Sequence, residues 1–195
     1  MESQAVIVLI TEIALGISLA ACAGLRAFLP LLVIAALAKT GHLQLGEAFS
    51  WMGSTPALIV FGTATAAEII ADKFPVIDNF LDTAGAFIKP VAGTILFSAA
   101  IIRVEPLTAV ILGIIAGGSL SELVHLKKAS LRAASTGLTL GIANPIISII
   151  EDISSLAGVL VSVIAPIIAA CVITAALVLT FKLITDMIIR KKAEE

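Results

Sequence analysis

Glu68, Asp72, Asp78, Asn79 and Asp82 crowd into one short stretch, EIIADKFPVIDNFLD, of a chain that is otherwise poor in charge. Glu68 and Asp72 stand four residues apart, as do Asp78 and Asp82, so each pair shares a face of a helix end. Oxygen ligands of this kind hold hard cations, with Glu68, Asp72 and Asp78 as the candidate metal set. The same carboxylates relay protons where they stand inside a membrane. Phe74, Val76, Ile77, Phe80 and Leu81 alternate with the acids, so the stretch reads as an amphipathic segment laid back against the body of the protein. Pro75 ends or kinks the helix before it. A solvated loop with an aspartate cap for the following helix is the bland account of the same residues.

Two further places put polar groups among apolar ones. Arg26 lies deep in the run from Ala5 to Ala38, too far from either end to reach water easily. A charge there costs about 2.5–3.5 kcal/mol on insertion scales, so it needs a carboxylate, carbonyls or a wet cavity. Glu12, some four turns earlier on the same face, is roughly 21 Å away by helical rise and out of pairing range. Asn144, Ser148 and Glu151 fall at i, i+4 and i+7, a polar stripe that must face the bundle interior, with Asp152 beside it. His125, Lys127, Lys128 and Arg132 form a basic group, whose expected place is a cytoplasmic loop against anionic lipid headgroups. Cys22 and Cys171 sit alone in apolar stretches and read as packing residues rather than a disulfide or metal pair.

The elements that must position these residues are membrane helices. Of 195 residues, 59% are hydrophobic and 13% charged, and the net charge is -2. A soluble domain of this size carries about twice as much charge, and no basic field points to nucleic acid. The pattern predicts an all-α, polytopic bundle forming a single integral membrane domain over residues 1–195, with about six spans of the length a bilayer requires. These are 5–38, 56–71, 84–102, 106–124, 133–150 and 155–181. The first and last are too long for one straight helix and are expected to break, near Gly24 and Pro30 in one and at Pro166 in the other; seven or eight passes remain open. Lys and Arg placement puts the 127–132 loop and the Arg190–Lys192 tail on the cytoplasmic side of the cell membrane, together with the loop 72–83. The 39–55 loop and the 151–154 turn then fall outside.

AEIIADK at 67–73 and SELVHLK at 121–127 suggest a weak repeat relating hairpins 56–102 and 106–150. Repeats of this kind build small transporters, with the site at the repeat interface. Glu68, Asp72 and Lys73 are similar in kind to the Glu-x-Gly-Asp-Lys-Ser/Thr signature of cation exchangers. The departures are one extra residue between Glu and Asp, Ala71 in place of Gly, and Phe74 in place of Ser/Thr. AGLRAFLPLL from Ala23, EIIADKFPVIDNFLDTAG from Glu68 and ANPIISIIEDISS from Ala143 together resemble a family of multi-span prokaryotic membrane proteins, the domain of unknown function four-one-two-six. The resemblance covers nearly the whole chain and implies a polytopic membrane fold, with no activity to carry over.

No nucleophile triad, phosphate loop or zinc motif is present, so neither an enzyme nor a cofactor is expected. The leading expectation is a small transporter or channel for an ion or small polar solute, cation- or proton-linked, working as a homodimer. Arg26 would be its fixed charge, Glu68, Asp72 and Asp78 its inner carboxylates, and Asn144, Glu151 and Asp152 its outer ones. The alternatives are a protein that binds or flips phospholipid or polyprenyl phosphate, and an accessory membrane subunit.

Overall fold

The structure is a computed structural model that describes residues 2–72, 75–139 and 142–194; the side chains of 73–82, 181 and 183–195 fall outside that description. Its regular elements are helices: α1 (Glu2–Leu25), α2 (Phe28–Lys39), α3 (Thr55–Ala71), α4 (Pro75–Ala100), α5 (Pro106–Leu112), α6 (Ser119–Thr139), α7 (Asn144–Ile164) and α8 (Pro166–Glu194). A short 3-10 helix, Glu47–Gly53, precedes α3, and a π-helical turn, Gly113–Gly118, joins α5 to α6 without a break.

Proline sets most of the helix starts. Six of the seven prolines stand in a first turn, where the missing N–H is not needed; only Pro90 lies inside a helix. Pro30 also fixes where α1 must stop, because its ring clashes with the carbonyl four residues back, that of Arg26. Pro166 pushes Ala165 out of the helical region, to φ -141° and ψ 68°, and so ends α7. At Pro106 the Glu105 carboxylate caps α5, accepting from Thr108 N at 3.0 Å. The backbone N–H groups of Leu107 and Thr108 hold this exposed carboxyl below the usual glutamate range. The cap is therefore intact at neutral pH and lost as pH falls through that lowered value.

The chain reverses at Arg26–Ala27. If α2 ran on in the direction of α1, Lys39 would stand roughly 18 Å beyond Arg26. Yet Gly46 N donates to Ala99 O at 2.9 Å, beside Ile102, whose N–H donates to Glu12 on α1 at 3.2 Å. Glu12 lies about 21 Å to the other side of Arg26, so the gap would be about 39 Å, and the chain from Lys39 to Gly46 reaches about 25 Å at most; α1 and α2 therefore form a helical hairpin. α3 returns beside α2, tied by Lys39 Nζ to Thr55 Oγ1 at 2.5 Å. α4 runs antiparallel to α1, Gly16 meeting Phe97, and α6 runs antiparallel to α4, Gly93 meeting Ser121 and Gly117. α7 and α8 close the bundle against α1.

Among the described residues four helices are long and apolar enough to cross a membrane: α1, the 83–100 part of α4, the continuous Pro106–Thr139 helix and α7. A fifth is added if the 3-10 helix and α3, bent by 68°, count together. The molecule is apolar outside and charged inside. Phe87, Leu138 and Ile164 are 77%, 86% and 82% exposed, whereas Arg26 is fully buried. This is in keeping with a multi-pass membrane protein.

Three expectations change. Residues 75–83 are the start of α4 and not a loop, since Pro75 is as good a first helical residue as it is a breaker. Residues 125–132 are the middle of α6 and not a loop, for nothing between Ser119 and Thr136 interrupts a helix. The turn comes instead just before Asn144–Pro145. Among the described residues four helices, or five with the bent pair, meet the length and apolarity of a span, against the six expected.

Helices α1 and α6 approach so closely at Gly24 that an added Cβ would collide with Ser121 O and stand 2.5 Å from Val124 Cβ. A backbone carbonyl cannot swing aside, so we expect Gly24→Val to cost about 1–3 kcal/mol or more. Thermal unfolding in mild detergent reads this as a lowered midpoint; an unchanged midpoint contradicts the packing.

Candidate functional site

The break between α1 and α2 leaves carbonyls at one helix end and N–H groups at another without helical partners. Side chains from other helices fill both. Glu68 on α3 accepts from Ala27 N at 3.0 Å and Phe28 N at 3.2 Å, capping α2 in place of the local residue, Ala27, which makes no side-chain cap. Lys128 on α6 donates to Leu25 O at 3.3 Å, while Ser155 Oγ on α7 adds a second donor, at 3.3 Å, to Cys22 O, which already accepts from Arg26 N at 3.1 Å. Anion at a helix N-terminus and cation at a C-terminus also match the helix dipoles.

Arg26 sits in the gap. Its guanidinium pairs with Asp72 and donates from one Nη to Ser148 Oγ at 2.8 Å and Ser148 O at 3.2 Å. Its Nε lies 2.6 Å from Asp152 Oδ1, and Glu151 Oε2 is 3.8 Å away. Arg132 grips Glu151 with two nitrogens, at 3.3 and 2.9 Å, and reaches Asp72 at 3.1 Å. Lys128 Nζ is 3.0 Å from Glu151 and 4.0 Å from Asp72. Among the described residues, three cations thus interlock with three carboxylates drawn from the α1–α2 break, α3, α6 and α7. A pair stripped of water is held only where further hydrogen bonds satisfy it, and the planar guanidinium suits that demand better than an ammonium does.

Beside the network lies a cavity of about 270 Å3. Glu68, Asp72, Lys89 and Lys128 give it four charged walls. Phe28, Ile88 and a run of small residues, Ala64, Ala67, Ala71 and Gly85, make the remainder. Lys89, buried on α4, has its Nζ 2.9 Å from His125 Nδ1 on α6.

The structure brings together Arg26, Asp72, Ser148, Glu151 and Asp152 from the sequence candidates, with Glu68 adjoining. The side chains of Asp78, Asn79 and Asp82 lie outside the description. Asn144 does not join: its amide donates to Thr136 Oγ1 at 3.0 Å across the α6–α7 turn. Lys128 and Arg132, expected on a loop against lipid headgroups, are buried in the network, and Lys127 bonds a carbonyl of α8. The expected separation of Asp72 and Glu151 to opposite sides is also overturned, since both contact the same Arg132 nitrogen. The cause is the unbroken α6, which moves the reversal past Thr139 and returns 148–152 to the depth of Asp72. Sequence reasoning missed Lys89 as a site residue, although an ionisable side chain inside an apolar span was the signal. No group of three His, Cys, Asp or Glu among the described residues could hold a metal.

A family model described as Domain of unknown function (DUF4126) matches residues 13–186. This chain belongs to that family. The match takes in every residue of the DUF4126 network and its cavity. No curated protein and no solved structure matches the chain.

The DUF4126 fold places α7 alongside α1 at network depth. A Cβ at Gly158 would stand 2.7 Å from Cys22 Sγ, near the spacing a disulfide spans. With Cys171→Ser removing the other thiol, Gly158→Cys should cross-link to Cys22 on mild oxidation and resist alkylation. Two freely alkylated thiols would contradict the arrangement of α1 and α7.

Proposed function

We propose that the protein is a small membrane transporter or channel for an ion or small polar solute, linked to proton movement, with the charged cavity beside Arg26 as its path. The observation that carries the reading is the depth of the charges. Ile70, Leu131 and Ile150 neighbour Asp72, Arg132 and Glu151 in sequence and are 58%, 59% and 57% exposed. An apolar belt therefore surrounds the ion network at its own level, where ionisable groups are costly and mark solute or proton pathways. Broken helices whose ends face a cavity are the usual way carriers build a central site. Glu68 is the group best placed to change state, because it lines the cavity while holding the two N–H groups of α2. Protonation or solute contact at Glu68 would loosen the α1–α2 hairpin. In this reading the Arg190–Lys192 tail keeps the C-terminus on the cytoplasmic side of the cell membrane, and the working unit is a homodimer. Headgroup phosphate at Lys128 and Arg132 fits less well, since both are already engaged by carboxylates.

Glu68→Gln removes the charge and keeps one of the two oxygen acceptors of the α2 cap. In proteoliposomes carrying a fluorescent pH or cation reporter, we expect flux to fall by about tenfold, the effect of ~1.4 kcal/mol, with a stability loss of about 1 kcal/mol from the cap bond given up. Full flux in a folded Glu68→Gln variant would sink the assignment.

A further inference from the structure

A second cavity, of about 210 Å3, lies away from the ion network between α1, α6, α7 and α8. Its walls are apolar or small: Cys22, Leu25, Val124, Gly158, Ile173 and Leu177. Ser154 and Ala176 at its edge are exposed, so it opens to the outside of the bundle, where the surface is aliphatic. Lys127 supplies its one charge. Lys127 Nζ donates to the backbone carbonyl of Leu177 at 3.1 Å, and no carboxylate among the described residues pairs with it. This sets Lys127 apart from its neighbour Lys128, which Glu151 neutralises at 3.0 Å. Ser154 adds a hydroxyl to the lining, while that of Thr180 is spent on Ala176 O at 2.6 Å.

A side-opening apolar cleft whose single cation has no countercharge among the described residues selects for an amphiphile with an anionic head. We propose that this cleft binds an anionic lipid, its phosphate on Lys127 and the Ser154 hydroxyl, and its first acyl carbons along Ile173 and Leu177. The bound head would complete the charge balance of α6 and pin α8, which otherwise holds Lys127 through a carbonyl alone. Coulombic attraction to a phosphate near an apolar surface, about fivefold in affinity per lysine, is the expected preference over a zwitterionic lipid. This site is independent of the transport reading, since none of its residues lines the first cavity.

The test is native mass spectrometry of the full chain in mild detergent, titrated with phosphatidylglycerol or with phosphatidylcholine of the same chains. We expect one phosphatidylglycerol retained per chain, about fivefold over phosphatidylcholine. Lys127→Met should abolish the preference, Lys127→Arg should restore it, and Lys182→Met, at an exposed lysine further along α8, should leave it intact. Ala176→Phe, which fills the cleft and spares Lys127, should also abolish it. Equal retention of the two lipids by the wild type, or an undiminished preference in both Lys127→Met and Ala176→Phe, would overturn the proposal. Displacement of the bound species by inorganic phosphate at equal concentration would likewise overturn it, since the site would then read a free anion and not a lipid. Arginine rescue keeps the test decisive if Lys127→Met folds poorly.

Discussion

A helix broken inside an apolar surround must have its loose backbone groups satisfied by protein, because lipid offers no hydrogen bonds. The interruption between Leu25 and Phe28 is that constraint here, and much of the bundle is arranged around it. Glu68 answers the N–H groups of α2, Lys128 answers the last carbonyl of α1, and Arg26 fills the space between them, held by Ser148 of α7. Three separate helices must therefore converge on one point, which fixes the lateral order of α3, α6 and α7 around the α1–α2 hairpin.

Charge balance follows from the same convergence. Arg26 alone could not be buried. Asp72 and Asp152 offset it, Glu151 is shared between Lys128 and Arg132, and Asp72 ties the two arginines together. Such a network is weak as a source of net stability, because desolvation consumes most of the Coulombic gain. Its strength lies in specificity, since any shift of one helix leaves a buried charge without its partner.

Much of this was legible in the sequence, and the reasons are local. An arginine far inside an apolar run demands buried partners, and Ser148 and Glu151 at helical spacing had to face inward. Proline chemistry marked the breaks at Arg26 and Ala165. What misled was the assumption that charge means loop. Lys127, Lys128 and Arg132 follow an apolar segment of span length, so they resembled its cytoplasmic flank. In fact Lys128 and Arg132 lie four apart on the buried face of an uninterrupted helix. That single error starts the next span at 133 rather than at Asn144, and so carries Glu151 to the opposite side from Asp72. Residue spacing along one helix can show that a face is polar, but not which distant face meets it. The pairing of Arg132 with both Asp72 and Glu151 is a long-range fact of that kind.

Arg26 and Asp72 stabilise the bundle as a mutually neutralising pair rather than as independent residues. The most direct measurement is a double-mutant cycle on reversible unfolding in mixed micelles, with Arg26→Met, Asp72→Asn and the two combined. Each single change leaves an uncompensated buried charge and should cost about 3–5 kcal/mol. The combined variant removes one charge of each sign and leaves Lys128 and Arg132 paired with Glu151, so its cost should fall short of the sum by at least ~1 kcal/mol. Simple additivity of the two costs would contradict the account.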